Sequence, residues 1–116
     1  MHHALTTLRS HLDSLGHLVR SANPDGRQIQ EQFLIAQQQF QHQVMPLAGP
    51  YPSAQPVLTE MNRTLRLLAM DVAFLQAARQ SVTTQQRQHQ MDEKLTQLLA
   101  FCQALGAAIG PAPAEE

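Results

Sequence analysis

An all-α fold, an antiparallel up-down-up-down four-helix bundle, is what this sequence predicts, and three observations carry the prediction. Apolar residues recur three and four positions apart through four segments of similar length. Those segments are separated by two short breaks and one longer proline-rich connection. β-Branched residues are few and no alternation of period two appears, which argues against strands. A chain of 116 residues suits one domain, which buries roughly two-thirds of its unfolded surface without metal or disulfide.

The first helix is predicted over about 4–21, with Leu5, Leu8, Leu12, Leu15 and Val19 as an uninterrupted seam. "SANPDG" ends it, because Pro24 disfavours a helical Asn23 and Gly26 relaxes the backbone. The second, over 27–45, carries Ile29, Phe33, Ala36, Phe40 and Val44. In "MPLAGPYPSAQP" that follows, Pro46, Gly49, Pro50, Pro52 and Pro56 are expected to forbid regular structure. The third helix, over 56–80, starts at Pro56, tolerated in a first turn, and carries Leu58, Met61, Leu65, Leu68, Val72 and Leu75. "QSVTTQQ" makes the last turn, with Thr83 and Gln86 spaced as a capping box. The fourth helix, over 84–108, carries Met91, Leu95, Leu98, Cys102, Leu105 and Ile109, and 110–116 form a frayed tail.

Composition narrows the function classes. The formal net charge is −1 and the eight Lys and Arg are scattered, so the field that a phosphate backbone requires is missing and no nucleic acid is expected as partner. Apolar runs fall below the ~18 residues of a membrane span. The stretch "MHHALTTLRSHLDS" lacks the features of a secretory signal, and a single cysteine forms no internal disulfide, so the expected location is cytoplasmic. The glutamine-rich stretches "QEQFLIAQQQFQHQ" and "TTQQRQHQ" are punctuated by regularly spaced apolar residues, as the wet faces of ordered helices are.

The third helix holds the one irregularity. At about 100° per residue, Leu67, Met70 and Phe74 form a second apolar stripe beside the main seam, and Asp71 projects near the middle of the widened arc. Either the carboxylate is buried and paired, or the arc is exposed and serves a partner. An unpaired buried carboxylate would cost several kcal/mol, so a partner cation is expected from another helix, with Arg20, Arg27 and Lys94 as candidates at the right level. An interhelical pair that fixes register outweighs a catalytic aspartate, because no second ionisable group is visible for acid–base work.

His2, His3, His11, His17, His42 and His89 show neither i,i+4 pairing nor Glu-x-x-His, so no metal and no cofactor is expected. Cys102 sits on a seam and reads as a small hydrophobe rather than a reactive thiol. "RQHQMDEK" reads as a solvated face, and Arg63, Arg66, Arg79 and Arg87 as a weak basic strip. No residue cluster specifies catalysis, and the chain is not expected to be an enzyme.

The segments "LRLLAMDVAFLQAARQ" and "QQRQHQMDEKLTQLLAFCQAL" resemble the cyanobacterial heterocyst frequency control family, PatD. The matching elements are Arg66-Leu67-Leu68, Met70-Asp71-Val72, Phe74-Leu75-Gln76, Ala78-Arg79-Gln80, Gln86-Arg87 and Cys102-Gln103. They cover roughly the C-terminal half, while the N-terminal half agrees in helical pattern and in "QQQF…PL". The resemblance implies a non-enzymatic regulator that contacts the tubulin-like division protein FtsZ and tunes division and heterocyst differentiation frequency. Leu67, Met70, Phe74, Arg63, Arg66 and Arg79 are then the candidate partner-binding residues, and a homodimer is possible. Two alternatives remain, a bundle that holds a small apolar ligand in its core and a structural oligomerisation module. An interaction protein would turn the extra apolar arc outward, and a ligand binder would turn it toward a central cavity.

Overall fold

In the computed structural model, which describes residues 2–77 and 81–110, every long element is helical and the described residues contain no strand. Helix α1 (His2–Val19) buries Leu5, Leu8, Leu12, Leu15 and Val19, the seam that its three-and-four spacing predicts. Helix α2 (Gly26–Gln39) starts where Asp25 accepts hydrogen bonds from the backbone N–H groups of Arg27 and Gln28, at 3.0 and 3.2 Å. That cap satisfies two N–H groups that a helix start leaves without partners.

Pro46 does not end this rod. A π-helical turn, Phe40–Val44, follows α2 directly and leads into a short helix α3 (Met45–Ala48), so the expected break falls later, at Gly49 and Pro50. The cause lies in the proline itself. In an α-helix Pro46 would leave one backbone bond unmade and press its ring against the carbonyl four residues back. The wider turn, in which the Met45 N–H donates to the Phe40 carbonyl, comes immediately before that position. It also preserves the seam. Phe40, Val44 and Ala48 are all buried at strict steps of four, although each such step would rotate an α-helix by about 40°. The connection is not wholly irregular either, since Pro52–Ala54 form a 3₁₀ turn.

Helix α4 (Gln55–Ala77) has Pro56 in its first turn, as expected, and buries Leu58, Met61, Leu65, Leu68, Val72 and Leu75. Helix α5 (Ser81–Ile109) begins three residues before the expected start. Thr83 is therefore inside the helix and does not cap it, so the capping box with Gln86 is not formed. Met91, Leu95, Leu98, Cys102 and Leu105 are buried, while Ile109 is only partly so. The helix stops at Gly110, whose φ of +91° is the left-handed conformation that glycine adopts without strain. The tail expected to fray, beyond Gly110, lies outside the described residues.

Helix α1 packs against α2 and α5, and α4 packs against α5 and α2, so the seams share one core. Several ties between helices come from the glutamines. Gln39, at the end of α2, donates to the Ala4 carbonyl near the start of α1 at 3.0 Å, and Gln32 donates to that of His11, midway along both helices, at 3.3 Å. Gln88 of α5 donates to the carbonyls of Val19 and Ser21 at 2.7 and 3.0 Å, and Gln76 of α4 to that of Gly26 at 2.7 Å. Of these carbonyls, that of Val19 is the one at a helix C-terminus, where no intrahelical donor reaches it; Ser21 lies just past that end, and those of Ala4, His11 and Gly26 accept the amide in addition to their place in the helix. The glutamine-rich faces are therefore only partly wet.

Candidate functional site

Asp71 is buried, at 4% exposure, inside an otherwise apolar stretch of α4. Two cations of α5 hold it. Arg87 donates from Nη1 to Oδ1 at 3.0 Å, and the Lys94 ammonium lies 2.6 Å from Oδ2. The ammonium sits off the ordinary hydrogen-bond direction of Oδ2, so that contact acts chiefly through charge. Arg87 and Lys94 are seven residues apart, two turns of one helix face, and they grip the carboxylate from both sides along α5.

Of the three cations expected to reach Asp71, only Lys94 does. Arg20 pairs with Asp92 at 2.8 Å, and Arg27 pairs with Glu31 on its own helix at 3.4 Å. Both pairs are largely exposed and contribute little to stability. Arg87, read from sequence as part of a solvated face, is the missing partner. The signal that could have identified it is the heptad separation from Lys94. Asp71 thus does have ionisable groups in reach, but both are cations already bound to it. A carboxylate buried and clamped in this way is built to stay in place rather than to meet a substrate.

Directly outside this cluster lies the second apolar stripe. Leu67, Met70 and Phe74 are 41%, 56% and 51% exposed, so the widened arc faces solvent and not a central cavity. The Arg87 guanidinium lies 4.5 Å from the centre of the Phe74 ring, a cation–π contact, and its Nη1 also donates to Gln90 Oε1 at 3.0 Å. One side chain therefore links the buried carboxylate to the exposed aromatic. Arg63 and Arg66 flank the stripe on the exposed face, with Arg63 3.6 Å from Glu60. Arg79 lies outside the described residues.

Among the described residues the remaining titratable groups form no further centre. Among the described residues no three His, Cys, Asp or Glu come together as a metal site would require. His89 pairs with Glu93 at 2.9 Å, and His11 Nδ1 lies 3.4 Å from Gln32 Nε2. Cys102 is fully buried, and burial pushes its thiol up to about 12, against a smaller downward effect of Arg9. A thiol in that state is a packing group. No helix among the described residues is long and apolar enough to cross a membrane.

Among known families, residues 5–103 match the model described as the CRR41 C-terminal domain, a span that includes the α4 stripe and the whole Asp71 cluster. No curated protein and no solved structure matches the chain.

Proposed function

The chain belongs to the CRR41 C-terminal domain family, and from that premise we propose that it is a non-enzymatic interaction module, an up-down-up-down antiparallel bundle that presents the outer face of α4 to a protein partner. The observation that carries this reading is the outward orientation of Leu67, Met70 and Phe74 above a clamped carboxylate. Asp71 fixes how α4 sits on α5, and the residues one position before it and three after it are left free for contact. The spacing of Leu67, Met70 and Phe74, three and then four residues apart, is that of the apolar anchors by which an amphipathic helix contacts a partner. The antiparallel arrangement is supported by Gln39, the last residue of α2, reaching Ala4 near the start of α1, while Gln32, seven residues earlier, reaches His11, seven residues later.

The partner we propose comes from the sequence resemblance and not from the family match, which names none. It is the division protein FtsZ, contacted in the cytoplasm, with consequences for division and for heterocyst differentiation frequency. Co-sedimentation with FtsZ filaments tests this. The protein should pellet with polymer or change polymer mass or assembly rate. No effect on any of the three across a range of salt would remove FtsZ as the partner.

A further inference from the structure

We propose that the α4 face takes an acidic amphipathic helix, one whose apolar residues lie on Leu67, Met70 and Phe74 and whose carboxylates meet Arg87, Lys94 and Arg63. This rests on the reading of that face as a docking surface and adds the chemistry of its occupant. The occupant is a helix because the stripe runs along a helix, with steps of three and four over about 10 Å of axis, and a helix laid beside it can interdigitate with those ridges. Strand addition would need a sheet edge, and the described residues have no strand.

The charge follows from the cluster beneath. Arg87 and Lys94 share a single carboxylate, which leaves one positive charge in excess, and their side chains are already only 29% and 22% exposed. A partner covering Phe74 removes more water from Arg87, which lies against that ring, and so from the cluster that it shares with Lys94. A neutral or basic partner would leave the excess charge desolvated and unpaired, which costs several kcal/mol, whereas a carboxylate compensates it. Arg63, one turn before Leu67 and 72% exposed, already faces Glu60 at 3.6 Å, so it adds an exposed donor that a partner carboxylate can share rather than a second excess charge.

The test uses the full chain and two synthetic helical peptides with the same leucine face, one flanked by glutamates and the other by lysines, read by fluorescence anisotropy. The glutamate peptide should bind at least ten-fold tighter than the lysine peptide, with the ratio shrinking as salt rises. Met70→Glu and Arg63→Glu, at exposed positions, should each weaken the glutamate peptide at least three-fold with melting unchanged. Equal binding of both peptides, tighter binding of the lysine peptide, binding of neither, or indifference to both substitutions overturns the proposal. FtsZ co-sedimentation run in parallel separates the two readings. If pelleting is lost in Met70→Glu while the peptides show no charge preference, the docking surface stands and the acidic occupant falls.

Discussion

Replacing Asp71 by asparagine keeps the shape of the side chain and removes its charge, which isolates the ionic part of the cluster. In the native protein Asp71 is buried, with Arg87 3.0 Å and Lys94 2.6 Å away. Breaking a fully buried pair by removing one partner costs about 3–5 kcal/mol. The two cations here keep roughly a quarter of their exposure, so water compensates part of the loss. The amide oxygen also still accepts from one of them. About 2–3 kcal/mol remains, which for a domain of this size lowers Tm by roughly 8–12 °C. Thermal unfolding followed by circular dichroism reads the shift directly. Lys94→Met should cost less than Asp71→Asn, because Arg87 continues to hold the carboxylate, and the double variant should cost less than the sum of the two. A Tm within 2 °C of wild type for Asp71→Asn would refute the view that this carboxylate locks α4 against α5.

Three further outcomes follow from other parts of the fold. Cys102 should resist a thiol reagent in the folded protein and react once denaturant is added; rapid labelling of the native state would contradict its burial. Its raised folded-state pKa means that the unfolded chain loses the proton first. The stability attached to this thiol is therefore present below pH 9.0, begins to fall as pH passes that value, and declines at a slope approaching 2.303RT per pH unit until pH passes about 12. The stability difference between wild type and Cys102→Ala should fall as pH rises from about 9 to 11, steepest at the upper end, and a pH-independent difference would count against it. Asp25→Ala, which removes the cap of α2, should cost about 1 kcal/mol in urea unfolding, and no measurable loss would show that the two capping bonds contribute nothing.

The apolar periodicity was enough to place all four helical rods and almost every buried residue, because a seam at three and four has only one way to be covered. Pro46 was harder to read. Sequence spacing carries the penalty of a proline but not the π turn that relieves it, and the buried step of four from Phe40 to Val44 to Ala48 becomes a clue only once that turn is known. Thr83 and Gln86 match a capping pattern that the earlier start at Ser81 leaves unused. At the candidate site, the widened arc and the need for a cation beside Asp71 were legible from α4 alone. Which cation was not, since the answer depends on how far α5 is shifted along α4. That offset brings Arg87 and Lys94 to Asp71 and leaves Arg20 to Asp92. The ties made by Gln39, Gln32 and Gln88 depend on the same three-dimensional offsets, and nothing in the spacing of the glutamines separates those that bridge helices from those that face water.

The most direct test of the central claim, that α4 joins a structural carboxylate to a free docking stripe, is to measure melting and FtsZ co-sedimentation together for Met70→Glu. Met70 is 56% exposed and immediately precedes Asp71. A surface substitution at such a position changes stability by no more than about 0.5 kcal/mol, so Tm should stay within roughly 2 °C of wild type. The fraction pelleting with polymer should fall at least three-fold. Unchanged pelleting with an unchanged Tm would contradict the claim, since it would leave the stripe outside any contact with the proposed partner.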